Sequence, residues 1–95
     1  MIVFGTPKLE KAIKKHGDLA RRLPTWLSVA REATWTCLND VRKSWRDTDV
    51  VKGKTVFNIK GNSYRLIALI NYQSQTVVIQ DVLTHAEYDK EGWKK

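Results

Sequence analysis

The sequence predicts an α+β domain in which N-terminal helices pack on one face of an antiparallel β-meander sheet. Three observations favour this fold class. Apolar residues recur at helical spacing from Leu9 to Trp45, and the period changes to two from Lys54 onward. Gly61-Asn62 then supplies a tight turn between two β-prone runs. Helices first and strands last place the whole sheet in the second half of the chain.

The chain begins with a short β-prone run that leads into a helix. Ile2-Val3-Phe4 is stopped by Gly5. Thr6-Pro7 indicates a helix start, because threonine is a good N-cap and proline suits the first helical position. The apolar residues that follow fall on one helical face, and we expect Gly17 to close this helix.

Two further helices and a loop complete the predicted helical half. Asp18 can cap a second helix whose apolar stripe runs to residue 33 or 34. Pro24 lies inside that stripe, which predicts either a kink there or a helix that restarts at Leu23-Pro24. Residues 37–45 show helical spacing again and predict a third, short helix, and residues 47–53 are expected to form a loop.

The strands of the predicted meander follow. Residues 56–59 form a weakly alternating strand, and the turn at Gly61-Asn62 leads into a long strand over 64–72. Both faces of this long strand are mostly apolar, which is typical of a central strand. Residues 73–75 turn the chain into a last strand over 76–83.

Size and charge limit the possible functions. The 95 residues predict one domain, 1–95, and their apolar share of 42% is typical of a folded protein. A net charge of +7 favours a nucleic-acid partner, although a solvated basic surface without a ligand has the same composition.

Cys37 is expected to be a small buried hydrophobe, since a single cysteine excludes an internal disulfide and no Cys/His spacing indicates zinc. No leader or bilayer-length apolar run is evident, so we expect a cytoplasmic protein without a membrane partner.

Three polar residues of the β-rich half are candidates for catalysis. Arg65 stands in an apolar strand, where its guanidinium would either bind a phosphate or pair with Asp81, Glu87 or Asp89. His85 directly follows the last strand, and histidine suits proton transfer near neutral pH, although a surface or helix-capping histidine fits the same position. Tyr88 could donate a proton, stack on a base, or belong to the core or its rim.

The remaining basic and aromatic residues allow a binding surface. The lysines around the predicted hairpin, such as Lys52, Lys54 and Lys60, would grip phosphates, or would protect edge strands from aggregation. Trp93 is the tryptophan expected to be exposed, and His16 is taken as a surface residue. The other tryptophans fall close to apolar helical positions and are expected to pack in the core or against a partner, at positions 26, 35 and 45.

Two longer segments make the pattern specific. Residues 56–67 (VFNIKGNSYRLI) and 82–90 (VLTHAEYDK) resemble the HigB-type toxins of bacterial type II toxin–antitoxin systems, which belong to the RelE/ParE superfamily. The turn at 15–18 and the segments 26–27 and 33–35 fit the same resemblance. It implies a RelE-like fold and a ribosome-dependent mRNA endonuclease that needs no metal or other cofactor. It also implies a cognate antitoxin, usually a helix-turn-helix protein, that holds the toxin inactive.

The resemblance also implies roles for individual residues. The RNA's own 2′-hydroxyl would attack the adjacent phosphate, with Arg65 stabilising the developing charge and His85 and Tyr88 as acid/base candidates. A set of polar residues would orient messenger RNA or grip ribosomal RNA, namely Lys52, Lys54, Lys60, Asn62 and Lys90. Two other functions stay open: a ParE-like toxin that poisons DNA gyrase, and a non-enzymatic RNA-binding module. The antitoxin could cover the basic cleft or bind the helical face.

Overall fold

The computed structural model describes residues 1–90 and 92–94. The α-helices are α1 (Pro7–Lys15), α2 (Arg22–Glu32), α3 (Leu38–Ser44) and α4 (His85–Asp89), and short 3₁₀ turns lie at Gly17–Leu19 and Gly92–Lys94. The strands are β1 (Ile2–Phe4), β2 (Thr48–Val51), β3 (Lys54–Ile59), β4 (Tyr64–Asn71) and β5 (Thr76–Thr84). The predicted α+β class is confirmed.

The strands form one sheet in the order β1-β5-β4-β3-β2. Strands β3 to β5 are an antiparallel meander, as predicted, and β2 extends it on one side, whereas β1 joins the opposite edge by pairing in parallel with β5. The sheet is therefore mixed. Parallel neighbours need a long crossover, and here the helices α1 to α3 and most of the meander lie between β1 and β5.

The first turns of α1 and α2 each contain a proline. Pro7 occupies the first position of α1, as predicted, but Thr6 has helical dihedral angles and makes no side-chain cap bond. α2 begins at Arg22, so Pro24 lies within its first turn, where backbone N–H groups lack intrahelical acceptors. The alternative of a restarting helix is thus correct. Asp18 belongs to a 3₁₀ turn and does not cap α2.

Two elements differ from the predictions. Residues 47–53 were expected to form a loop, but 48–51 form the edge strand β2, which turns into β3 through Lys52 and Gly53 with φ angles of 51° and 78°. Both turn residues have the left-handed conformation that a two-residue hairpin needs, and glycine accepts it readily. The other difference is α4, a short helix that continues directly from β5.

The core lies between the helices and one face of the sheet. Trp26 and Phe57 are fully buried there, with ring centroids 5.2 Å apart in an edge-to-face arrangement. Trp35 is buried as predicted, and Trp45 is half-buried with its indole N–H donating to the carbonyl of Asn58 at 2.8 Å. Cys37 is exposed, not buried as expected, because it lies at the N-cap of α3, outside the core.

The opposite face of the sheet, which we call the outer face, carries the candidate site. Along β4 the side chains of Leu66 and Ala68 join the core. Arg65 and Ile67 alternate with them and therefore lie on the outer face. In the register of the sheet, Arg65 lies between Asn58 of β3 and Leu83 of β5.

Candidate active site

Arg65 is buried at the beginning of β4, with 9% of its surface exposed. Its Nη1 donates to the carbonyls of Asn62 and Tyr64 at 3.1 and 3.2 Å, and its Nη2 lies 3.5 Å from the side-chain oxygen of Asn62. No described carboxylate forms an ion pair with Arg65. The structure thus shows none of the pairings with acidic residues that the sequence left open, and a positive charge without a carboxylate partner suits an incoming anion.

Tyr88 lies against this guanidinium. The centre of the guanidinium is 5.2 Å from the centroid of the Tyr88 ring, which is within the range of a cation–π contact. The ring is presented by α4, so the start of that helix decides where Tyr88 lies. Arg65 and Tyr88, both predicted as catalytic residues, are therefore brought together.

A capping box fixes the start of α4. The Thr84 hydroxyl accepts from the backbone N–H of Glu87 at 3.2 Å, and the Glu87 carboxylate accepts from the backbone N–H of Thr84 at 2.9 Å. The hydrogen bond from the Thr84 N–H holds the pKa of the Glu87 carboxyl below its usual value. The spacing Thr-x-x-Glu is a signal that would have predicted this helix from the sequence.

His85 is the first residue of α4 and lies beside the β3–β4 turn. Its backbone N–H donates to the carbonyl of Ser63 at 3.1 Å. The imidazole is exposed over 53% of the side chain, and its Nδ1 lies 3.0 Å from a carboxylate oxygen of Asp89, one helical turn later. An Nδ1–H that donates to Asp89 leaves Nε2 as the nitrogen that can exchange a proton with a ligand.

Trp93 was expected to be exposed, but it is half-buried against the candidate site. Its indole stacks on the Tyr88 ring at a centroid distance of 4.8 Å and an interplanar angle of 18°, and its N–H donates to the Tyr88 carbonyl at 2.8 Å. Lys54 donates to the Trp93 carbonyl at 2.7 Å. The Tyr88 ring thus contacts both a guanidinium and an indole, and these contacts compete with stacking of the ring on a base.

The β3–β4 turn is tied to the turn after α1. Lys60 and the Tyr64 hydroxyl both donate to the Asp18 carboxylate at 2.8 Å. These bonds, that of Lys60 first, lower the pKa of Asp18, and the same carboxylate raises the pKa of Tyr64. His16 is half-buried, not a simple surface residue, with its ring 5.1 Å from that of Tyr64. The turn after α1 therefore packs against the β3–β4 turn.

The residues predicted to bind RNA are only partly assembled. Asn62 is close to the site, where its described bonds hold Arg65, and Lys90 is exposed at the end of α4. Lys60 follows β3 but is paired with Asp18. Lys54 binds the Trp93 carbonyl at the other end of β3. Lys52, in the β2–β3 turn, lies beyond that same end, so the structure does not bring it to Arg65.

The arrangement suits chemistry on a phosphodiester. A guanidinium without a carboxylate partner packs against a phenol ring, and the helix that carries this phenol begins with an exposed imidazole paired with a carboxylate. Within residues 1–90 and 92–94, no three His, Cys, Asp or Glu side chains form a group that could hold a metal ion. None of the helices in that part of the chain is long and apolar enough to cross a membrane.

Comparisons with known proteins show what this chain is similar to. Residues 19–91 match the HigB toxin family, described as a RelE-like toxic component of a toxin–antitoxin system. The chain is 26% identical over 93 residues to the mRNA interferase HigB of Escherichia coli O6:H1, an alignment that covers 95% of this chain and 90% of that protein. It is 47% identical over 34 residues to the mRNA interferase toxin HigB of Escherichia coli K12, covering 36% of this chain and 33% of that protein. A protein of Shigella flexneri, also an mRNA interferase HigB, matches over the same length and identity.

Proposed function

Because this chain belongs to the HigB family of RelE-like toxic components of toxin–antitoxin systems, we propose that it is an mRNA interferase. It acts as an endoribonuclease on messages that are being translated and so inhibits translation. Residues 1–95 serve as one toxin domain, and the activity takes place in the cytoplasm, where messages meet ribosomes. Relatives that carry the name mRNA interferase support the activity.

The observation that carries the proposal is the environment of Arg65. Carbonyl oxygens and an aromatic ring hold the guanidinium, while no described carboxylate neutralises it. Such a charge in a partly dry site binds a phosphate strongly, and it gains further as negative charge develops in the transition state. A purely structural arginine at this depth would be expected to have an acidic partner.

The proposed reaction uses the RNA's own nucleophile. The 2′-oxygen loses its proton and forms a bond to the adjacent phosphorus, and the bond from phosphorus to the 5′-oxygen breaks. The products are a 2′,3′-cyclic phosphate and a 5′-hydroxyl. Of His85 and Tyr88, one accepts the 2′-hydroxyl proton and the other returns a proton to the leaving oxygen. Arg65 stabilises the extra negative charge on the phosphate between these steps, and Asp89 keeps the His85 imidazole oriented.

Binding of RNA and of the partner completes the proposal. The net charge of +7 provides general attraction to the message and to ribosomal RNA. Lys90 is exposed directly after α4, whereas Lys60, which is also exposed, must give up its bond to Asp18 in order to bind a phosphate. A cognate antitoxin neutralises the toxin, and the resemblance implies that it is a helix-turn-helix protein.

The experiment that tests this function is a cell-free translation reaction with one defined message. We would compare wild-type protein with Arg65→Ala, with and without ribosomes, and map the cut sites by primer extension. We expect cuts that require ribosomes and disappear in the variant. Intact messages together with inhibited gyrase supercoiling would instead indicate a gyrase-poisoning toxin. Unchanged toxicity and RNA affinity in His85→Ala would indicate a non-enzymatic RNA-binding module.

A further inference from the structure

Exposed apolar side chains are concentrated on one part of the sheet. Among the described residues, the large hydrophobic side chains that are exposed are Ile2, Phe4, Val50, Leu69 and Val78. Single exposed hydrophobic residues are ordinary on soluble proteins, whereas a contiguous group marks an interaction site. All of these residues except Val50 lie on β1, β5 and β4, which are neighbours in the sheet.

The strand register places this group in one patch. Phe4 of β1 pairs with Val78 of β5, and Val78 pairs with Leu69 of β4, so the three side chains form a row across three strands. Ile2 lies two residues before Phe4 and therefore on the same face. Their core-facing neighbours, such as Val3 and Val77, pack against the helices. We call the group of Ile2, Phe4, Leu69 and Val78 the outer apolar patch.

The outer apolar patch is continuous with the candidate active site. Arg65, Ile67 and Leu69 alternate along the same face of β4, so Leu69 is about 13 Å from Arg65 at the usual rise per residue. A groove of about 370 Å³ adjoins the patch at Val78 and is lined by Val78, Ile67 and Trp93 together with lysines 8 and 54 and Asp81. A polypeptide that covers the patch and follows this groove would reach Trp93, which stacks on Tyr88.

We propose that the outer apolar patch is the docking surface for the cognate antitoxin. The docked segment presents apolar side chains to the patch and an acidic side chain to Lys8 of the adjoining groove, whose described bond is to the neutral carbonyl of Gln80. The inference rests on the proposed function, because a toxic component of a toxin–antitoxin system must offer a surface to its neutralising protein. The antitoxin would then inhibit from the face that carries the site and not from the helical face.

Charge and chemistry favour an acidic segment of the antitoxin over two other occupants of the patch, RNA and a second copy of this chain. RNA offers phosphates, which gain nothing from Ile2, Phe4 or Leu69. A second copy of this chain would bring together two molecules of net charge +7, which repel each other. An acidic segment with an apolar face satisfies both the patch and Lys8, which lines the adjoining groove.

The test separates antitoxin binding from RNA cleavage. The double variant Phe4→Ser/Val78→Ser removes the centre of the patch, and Val50→Ser is the matched control, because Val50 is similarly exposed on the far edge strand β2. The probe is the protein whose co-expression restores growth to cells that make the wild-type toxin. We expect the dissociation constant for that protein to rise at least about 100-fold in the double variant, as for the loss of central contacts in an interface. In the control it should stay within a few-fold of wild type.

Each outcome has one meaning. Ribosome-dependent cleavage that persists in the double variant, with neutralisation lost, supports the proposal and shows that the protein is folded. Neutralisation equal in the double variant and wild type overturns it while leaving the proposed function intact. If the double variant does not cleave RNA and its urea midpoint differs from that of the wild type, it is misfolded. Leu69→Ser alone then takes its place, and its affinity for the neutralising protein decides the question in the same way. Wild-type protein that binds its antitoxin but cuts no message refutes the proposed function, and the binding comparison still tests the patch.

Discussion

At the scale of single residues, Arg65 combines two demands that usually conflict. Only 9% of its surface is exposed, yet its charge has no described carboxylate partner and contacts carbonyls and the face of Tyr88 instead. The planar guanidinium satisfies this geometry because its Nη1 can donate to two carbonyls while its flat face rests on a ring. In the proposed function, the donors outside these two carbonyl bonds bind the phosphate, and the longer contact of Nη2 with the Asn62 side chain is the one that would be exchanged.

The Arg65→Lys variant tests whether the guanidinium shape matters as well as the charge. Lysine keeps one positive charge but cannot bridge two carbonyls and stack on Tyr88 at the same time. We expect the cleavage rate to fall by about 10²- to 10³-fold, nearly as far as in Arg65→Ala. Single-turnover cleavage of a ribosome-bound message measures this. A variant with near wild-type rate would reduce the role of Arg65 to general electrostatic attraction.

Tyr88→Phe separates the ring from the hydroxyl. Phenylalanine keeps the contacts with Arg65 and Trp93, so the fold and RNA affinity should be unchanged. Loss of a proton-transfer group should lower the cleavage rate by about 10²- to 10⁴-fold. Tyr88→Leu, which loses the ring as well, is the control. Full activity in the phenylalanine variant with loss in the leucine variant would make Tyr88 a support for Arg65 and not an acid or base.

At the scale of elements, the site depends on two short pieces of backbone. The capping box of α4 sets the orientation from which His85 and Tyr88 extend. The bonds from Lys60 and Tyr64 to Asp18 tie the β3–β4 turn, which holds Arg65 through Asn62, to the turn after α1. Both devices are local, so each can be tested with one substitution.

Thr84→Ala removes the side-chain half of the capping box. The variant should lose about 1 kcal/mol of unfolding free energy, the usual cost of losing an N-cap. Thr84→Ser keeps the hydroxyl and should restore most of it. Urea unfolding followed by tryptophan fluorescence measures both, since Trp93 stacks on the Tyr88 ring of α4. If the alanine and serine variants were equally stable, the hydroxyl would not hold this helix.

The Asp18 carboxylate predicts a dependence of stability on pH. Its pKa is lowered because Lys60 and Tyr64 donate to the charged form. The bonds therefore contribute fully above the usual carboxyl pKa, and their contribution disappears as the pH falls through the lowered value. Asp18→Asn should be less stable than wild type at pH 7, and this difference should shrink at pH 3. Thermal midpoints at both pH values test it, and an equal difference at the two would contradict the ion-pair account.

The elements also indicate what a sequence can reveal. The hairpin around Gly61 and the long strand β4 follow from local turn chemistry and periodicity, and both are confirmed. The start of α4 also depends on a local motif, the capping box formed by Thr84 and Glu87, which the sequence contains. By contrast, the parallel pairing of β1 depends on a partner more than 70 residues away, which no local pattern specifies. The turn that creates β2 uses Lys52 before Gly53, a weaker signal than asparagine before glycine.

The candidate site likewise combines contacts between residues that the sequence predicts with contacts that it does not predict. Arg65 and Tyr88 were predicted from residue type and resemblance, and the structure brings them together. The stacking of Trp93 on Tyr88 and the bond from Lys54 to Trp93 arise only when the chain end folds back on the sheet. Such contacts are tertiary, and the sequence shows only an isolated tryptophan and one lysine among many.

At the scale of the whole molecule, the sheet separates two surfaces. Helices α1 to α3 and the core occupy one face, and the candidate site with α4, its groove and the outer apolar patch share the other. The proposed chemistry and the proposed neutralisation of the toxin would therefore take place side by side. A chain of net charge +7 with such a face can attract RNA over a distance and still offer an antitoxin an apolar surface.

The most direct measurement of the central claim uses a ribosome-bound message with one 2′-deoxynucleotide at a mapped cut site. Attack by the 2′-hydroxyl cannot occur there, so the account predicts that wild-type protein no longer cuts at that position, while it cuts the all-ribose message normally. Arg65→Ala should cut neither. Undiminished cleavage of the deoxy-substituted message would contradict the proposed chemistry, and an all-ribose message left intact by wild-type protein would contradict the proposed function itself.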